Sequence, residues 1–255
     1  MSSLISARGL VKRFGSVIAA DNISIELRPQ ERVGIIGANG AGKTTFVNIV
    51  TGYLKPDDGA IFFRGTDITA LAPREITRLG IRRSFQVSQL FTNLSVRDNV
   101  LVALAAAAGT FPSPFAVLRT PGRITEAEKI LDRVSLAQSG DSLITALPQG
   151  QRKLLDIALA MIGQSAVLLL DEPTSGISAD EKFPLMDLVL EAVDAAEATV
   201  LFIEHDMEIV ERYAERVIAF YDGRVIADGE PGQVFVDPDV RRYVVGGELH
   251  RRKRG

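Results

Sequence analysis

"GANGAGKTT", residues 37–45, follows the apolar run Arg32-Val33-Gly34-Ile35-Ile36 and precedes Phe46-Val47-Asn48-Ile49-Val50. Gly37-x-x-x-x-Gly42-Lys43-Thr44, set between an apolar strand and a helix with spaced apolar residues, is the arrangement a P-loop requires. Glycines at 37, 40 and 42 let the backbone turn its N–H groups toward phosphate oxygens, and the following helix adds its positive N-terminal end. Lys43 is expected to reach the β- and γ-phosphates of a nucleotide and Thr44 to ligate Mg²⁺, with Asn39, Ala41 and Thr45 on the same loop. Strand, loop and helix together favour nucleotide binding over a glycine-rich turn that merely packs.

Two further strands end in acids. "AVLLLDEPTSG", residues 166–176, places Asp171 and Glu172 directly after aliphatics that read as a fully buried strand. In a P-loop fold that strand end faces the phosphates, so Asp171 is expected to hold Mg²⁺ through its shell and Glu172 to polarise the attacking water. A lone Asp at a strand end equally often just begins a turn, but the pair beside a P-loop points to chemistry. "TVLFIEHD", residues 199–206, ends another apolar strand at Glu204, His205 and Asp206. His205 is one of two histidines, and a solitary histidine is more often structural; at this strand end it can also contact a γ-phosphate.

The rest of the chain supports one large unit. Its 255 residues are 46% hydrophobic and 24% charged, enough to bury a substantial core in one domain with a subdomain inserted. A net charge of −3 gives no global electrostatic reason to expect nucleic acid as partner. The absence of cysteine excludes a disulfide framework and a thiolate metal site. The longest apolar stretch, Val100 to Ala108, falls well short of the ~20 residues that span a bilayer, and the N-terminus lacks a signal peptide's basic and apolar regions. Apolar runs bounded by turn residues predict strands near 4–11, 23–27, 32–36, 60–63, 167–170, 199–203, 217–220 and 224–227. From about Ser95 to Ile162 the pattern is helical, as in Leu154, Leu155, Ala158, Met161 and Ile162 before Gly163. An α/β core interrupted by a helical insertion is therefore expected.

Taken in order, these elements resemble the nucleotide-binding subunits of ABC transporters over nearly the whole chain. Phe14 in "KRFGSVIAADNIS" is similar to the aromatic that stacks on adenine; Gln86 in "RRSFQ" resembles the Q-loop glutamine; "LPQGQ", residues 147–151, occupies the signature position. Asp171, Glu172 and His205 then match the Walker B Asp, the catalytic Glu and the H-loop His. The resemblance implies an α/β fold: a P-loop NTPase (RecA-like) core with an antiparallel β subdomain and an inserted α-helical subdomain. It makes residues 1–248 one ABC ATPase domain, with the helical subdomain at about 91–163, followed by a basic tail at 249–255. It also implies two cassettes closing head to tail on ATP and Mg²⁺, each nucleotide lying between one chain's P-loop and the other's signature, including Gly150 and Gln151. Gln86 would join Thr44 and Asp171 around the metal and report to a permease helix.

With no membrane span, the cassette would serve separate integral-membrane permease subunits from the cytoplasmic face of the cell membrane. A second ABC ATPase, copy or paralogue, and indirectly a periplasmic or extracellular solute-binding protein complete the expected partners; nucleic acid is not among them. "TDITALAPREITRLGIRRSFQVSQLFTNLSVRDNVLVA", "SPFAVLRTP" and "GRVIADGEPGQVFVDPDVRRYVVGG" resemble the ATPases of branched-chain amino-acid and related amide importers. The competing readings are an ABC importer ATPase for another cargo and a non-transport ABC ATPase acting on nucleic acid or ribosomes. The latter lacks here the coiled-coil or zinc insertions, the tandem cassette or the basic face that would mark it.

The sequence departs from the family at several positions. Pro148 and Gln149 replace small residues of "LSGGQ", and Pro148 offers neither a hydroxyl nor a backbone N–H to a γ-phosphate. Gly150 keeps an N–H at the start of the helix. Leu159 stands where arginine is common in "IARAL", and Ser178 where the D-loop often has Asp or Asn. The tail "HRRKRG" reads either as a solvated end or as a contact for an anionic membrane leaflet.

Overall fold

The computed structural model describes residues 3–84, 90–109, 118–163 and 165–246. Its strands are β1 (Ile5–Phe14), β2 (Val17–Leu27), β3 (Arg32–Gly37), β4 (Asp58–Phe63), β5 (Thr66–Asp67), β6 (Ile81–Ser84), β7 (Val167–Asp171), β8 (Thr199–Ile203), β9 (Arg216–Tyr221) and β10 (Arg224–Gly229). The helices are α1 (Lys43–Val50), α2 (Pro73–Arg78), α3 (Val96–Ala107), α4 (Pro121–Arg133), α5 (Gln149–Met161), α6 (Ala179–Ala195), α7 (Met207–Tyr213), α8 (Pro231–Val234) and α9 (Pro238–Val240).

Two sheets result. One is antiparallel, in the order β2-β1-β4-β5, and the other runs β10-β9-β3-β8-β7-β6 with parallel pairing from β9 through β6. The parallel strands are buried on both faces, which is why they read as continuous aliphatic runs. Side chains still alternate between two cores. Val33 and Ile35, Leu169, Leu201 and Ile203, and Ile218 and Phe220 face α1 and the antiparallel sheet. Ile36, Leu168 and Leu170, Val200 and Phe202, and Val217 and Ala219 face the larger helical layer.

Every strand predicted from the sequence is present, and three differences have physical causes. The first hairpin is longer than expected: β1 runs on to Phe14 and β2 starts at Val17, with Gly15 at φ +60° in the turn. β6 was not anticipated, because "IRRS" carries two arginines where an apolar alternation would advertise a strand. It survives as the edge of the larger sheet, paired only with β7. The two-residue β5, an edge too, is below the length at which periodicity can be read.

The segment expected to be helical contains α3, α4 and α5, with turns and short helical loops from Val134 to Pro148 where the pattern suggested more helix. Ser135 at φ +55° and Pro148 mark those breaks. Ser95 caps α3 by accepting from the Asp98 N–H, and Thr120 caps α4, which has Pro121 in its first turn. Val96, Val100, Leu101 and Leu104 of α3 bury against Ala127 and Leu131 of α4 and Leu154, Leu155 and Ala158 of α5, at the spacing of one helical face.

The P-loop helix is pinned by one aromatic contact. Phe46 of α1 is fully buried, with its ring 5.8 Å from that of Phe220 on β9, the strand beside β3. Phe46→Ala is expected to lower the stability of the chain by about 3–5 kcal/mol, the range for deleting a buried aromatic. Urea denaturation followed by circular dichroism measures the loss.

Candidate functional site

Register assembles the site. In the parallel pairing Ile35 lies level with Ile203, Asp171 with Ile203, and Gly37 with Phe220, so β3, β7 and β8 all finish at one edge of the sheet. The residues that follow them share an open cleft of ≈ 770 Å³, lined by Phe14, Ala19, Asn39, Gly40, Ala41, Gly42, Lys43, Thr44, Thr45, Glu172, Ile203 and His205. Ten of the fifteen predicted site residues line this cleft, although they come from four separate stretches of chain.

Within the P-loop, glycine is required where the backbone has no room. Gly37 has φ +153°, and a Cβ there would stand 2.5 Å from the Phe220 carbonyl oxygen. Gly42 has φ +101°, and its Cβ would lie 2.6 Å from the Ala19 oxygen. Gly42 also precedes α1 without supplying a side-chain cap, so the amide end of the helix points into the cleft with no capping oxygen of its own. Lys43 is buried, and its Nζ donates to the Gly37 and Ala38 carbonyls at 2.6 and 3.1 Å. Burial pulls its pKa down, opposed by the Glu172 and Asp171 carboxylates. Thr44 is exposed to the cleft.

The two acids of β7 diverge. Asp171 is the last residue of the strand and buried; its Oδ2 accepts from Arg83 Nη2 at 2.6 Å, while Arg83 Nη1 donates to Asn48 Oδ1 at 2.6 Å. Arg83 thereby ties β6 to β7 and α1 at Asp171. Glu172 turns instead into the cleft in the left-handed conformation, φ +50°, and its Oε1 lies 3.1 Å from His205 Nε2. A carboxylate and an imidazole at that distance can share a proton or hold one another's orientation.

Phe14 ends β1 with 52% of its surface exposed, at the cleft's rim, with Lys12 Nζ 5.8 Å above its ring. A planar base can stack there. Gly150 and Gln151 do not line this cleft; they stand in the first turn of α5. Pro148 is the residue before that helix and gives no side-chain cap. Gln149 leans over Gly176, where an added Cβ would meet its Nε2 at 2.3 Å. Gln86, expected near the metal, and the tail at 249–255 lie outside the described residues.

Among the described residues there is no group of three or more His, Asp or Glu that could hold a metal by itself, so an ion here would depend on the nucleotide's own oxygens. The donors present, a cleft-facing threonine hydroxyl and a nearby carboxylate, are the hard oxygen ligands that Mg²⁺ takes. Sequence reading passed over Arg83 and Asn48, although both lie inside stretches it had singled out: Arg83 is three residues before Gln86, and Asn48 is in the helix after the P-loop. Charge on a short edge strand was the available signal.

Comparison with known proteins agrees with this geometry. The ABC transporter family model matches residues 20–175. The high-affinity branched-chain amino acid transport ATP-binding protein LivG of Escherichia coli (strain K12) is 36% identical over 252 residues, 95% of this chain and 98% of that protein. BraF of Pseudomonas aeruginosa, of the same description, is 33% identical over 95% of this chain and 98% of its own length. Among solved structures, an ATP-binding cassette of an ABC transporter in its ADP conformation superposes with a TM-score of 0.84 at 31% identity, covering 95% of this chain and 98% of that one. The α/β fold is that of the P-loop NTPase cassettes, and no described helix is long and apolar enough to cross a membrane. From the family match and the full-length relatives it follows that this chain belongs to the ABC transporter family, as one of its ATP-binding, ATP-hydrolysing members.

Proposed function

We propose that this chain is the ATPase subunit of an importer for branched-chain amino acids or related small solutes. The observation that carries the reading is the nearly full-length similarity to LivG and BraF combined with a complete P-loop cleft in this chain. Residues 1–248 act as one cassette whose helical part, about 91–163, contacts permease subunits from the cytoplasmic face of the membrane. A second cassette, copy or paralogue, closes on it, and a solute-binding protein on the far side delivers cargo. Nucleic acid has no part in this reading.

Each residue has a task in the cleft. Phe14 stacks on adenine; Gly37, Asn39, Gly40, Ala41, Gly42 and Thr45 wrap the phosphates with backbone and side-chain donors; Lys43 leaves the loop carbonyls for the β- and γ-oxygens. Thr44, Gln86 and, through its shell, Asp171 would hold Mg²⁺, which would supply positive charge against the charge developing on the phosphate oxygens. Arg83 fixes the Asp171 carboxylate against β6. Glu172 accepts the proton of the attacking water, and His205, 3.1 Å away, orients that carboxylate and reaches the γ-phosphate. Gly150 and Gln151 face the partner's nucleotide. ATP then favours the closed pair because its γ-phosphate is bound from both sides only there.

Glu172→Gln is expected to keep ATP affinity and to cut turnover by about 100-fold or more, because the amide keeps the shape and loses the base. Lys43→Ala is expected to weaken ATP binding by about 10-fold or more. Equilibrium binding and steady-state hydrolysis in the assembled complex measure both; parent turnover in Glu172→Gln would remove the base assignment. Uptake of leucine into vesicles holding the complex purified gently from its native membrane tests the cargo, and a complex without permease subunits would overturn the importer reading.

The altered signature adds an expectation about the pair. Pro148 removes a donor that the partner's γ-phosphate would otherwise meet, so in a pair with a paralogue of intact signature the two sites are unequal. Pro148→Ser with Gln149→Gly, placed in the Glu172→Gln background, is expected to raise the residual hydrolysis. No gain there would show that the signature does not limit that site.

A further inference from the structure

Glu204 precedes the H-loop histidine, is buried to 3% exposure, and does not line the nucleotide cleft. Its backbone N–H belongs to the sheet, donating to the Ile35 carbonyl at 3.2 Å. Its carboxylate crosses to the turn after β7. Oε1 accepts from Thr174 N at 2.8 Å and from Thr174 Oγ1 at 2.7 Å, and Oε2 accepts from the His205 N–H at 3.2 Å. One buried side chain thus joins the turn that carries Glu172 to the turn that carries His205.

That junction sits where the backbone most needs it. Glu172 is held at φ +50° although it has a side chain, and it is followed by Pro173, which disfavours compact conformations in the residue before it. Such a residue persists only when its surroundings over-determine it. Its N–H donates to the Ile203 carbonyl at 3.0 Å, and its carbonyl accepts from Ser175 N at 3.1 Å. Beyond Pro173, the described anchors on Thr174 include the two bonds to Glu204. Remove them and the turn is free to relax about Glu172.

The cost of burying this acid argues against a role as filler. Burial pushes the Glu204 carboxyl up, opposed by the Thr174 and His205 hydrogen bonds. Lys153 of α5, also buried, has Glu204 among the carboxylates whose charge opposes its own desolvation, with Asp156, Asp171 and Glu172. The interior therefore gathers charge behind the catalytic edge and spends donors to keep it there.

We infer that Glu204 is a positioning residue for ATP hydrolysis, a carboxylate clasp that locks the Thr174 turn to the H-loop and so fixes the distance between Glu172 and His205. The inference rests on the reading of Glu172 as the base, but it makes a separate demand on the chain before any nucleotide binds. In the nucleotide-free full-length chain, Glu204→Ala is expected to speed amide hydrogen exchange at Thr174 and His205 by about 10-fold or more, with the P-loop amides of residues 42–45 unchanged. In the assembled complex it is expected to lower kcat by about 10- to 100-fold at unchanged ATP affinity, as small misplacements of catalytic groups do. Glu204→Gln restores the Thr174 protection and part of kcat, since the amide oxygen can still take both Thr174 donors, whereas its NH₂ meets the His205 N–H donor to donor. In a Glu172→Gln background Glu204→Ala costs nothing further, because both changes act through one group.

If Glu204→Ala fails to fold, Thr174→Val removes one of the three bonds without a change of shape, and faster exchange at residue 174 with lower kcat is expected. Parent exchange at 174 and 205 in Glu204→Ala, or at 174 in Thr174→Val, would overturn the clasp whatever the role of Glu172. So would loosening of the P-loop and loss of ATP affinity in parallel with them, which would make Glu204 ordinary core support. Parent turnover in Glu172→Gln with the exchange result intact would instead remove the base and leave the clasp.

Discussion

The structure depends on parallel pairing in register between β3, β8 and β7. Three strands remote in sequence end at one level because Ile35 and Asp171 both lie opposite Ile203. Loops that follow strands ending at one edge must converge, so the P-loop, Glu172 and His205 reach one cleft without being neighbours in the chain. A one-residue slip of β8 would exchange its two faces, burying Val200 and Phe202 where Leu201 and Ile203 now sit. The two distinct cores therefore guard the catalytic geometry.

A division of labour follows between what is rigid and what is strained. The P-loop is fixed from below by Phe46 on Phe220 and from the sides by backbone atoms that leave no space for a Cβ at Gly37 or Gly42. Its conformation is the natural one for glycine. Glu172 reaches the same cleft in a conformation that disfavours side chains, and its backbone is tied to Ile203 and Ser175 by hydrogen bonds. The P-loop is thus a preformed cradle, whereas Glu172 stands on a turn with polar contacts from β8 and from Glu204.

Much of this was legible in the sequence. The P-loop, Asp171, Glu172 and His205 announce themselves because each follows an aliphatic run long enough to be read as a buried strand. Helical spacing at Leu154 to Ile162 likewise placed α5, within a stretch read as helical from about Ser95. Arg83, Asn48 and Glu204 were not legible as site residues for the opposite reason: each works by a side-chain hydrogen bond to a residue far away in the chain, and sequence spacing carries no information on such pairs. β6 escaped because Arg83, which bonds to Asp171 and Asn48, stands beside Arg82 in a four-residue strand whose buried ends are Ile81 and Ser84. Gly150 and Gln151 stand apart from this cleft, in the first turn of α5.

The exposed ring of Phe14 has a consequence for fuel choice. It sits at the end of a two-stranded hairpin, outside the cradle, and offers a flat π surface at the rim. Every nucleobase has such a face, and stacking discriminates weakly between them. Lys43 and the uncapped amide end of α1 lie at the other end of the cleft, where the phosphates are proposed to bind. With Phe14 in the base-stacking role proposed for it, such a chain would gauge phosphorylation state more sharply than base identity.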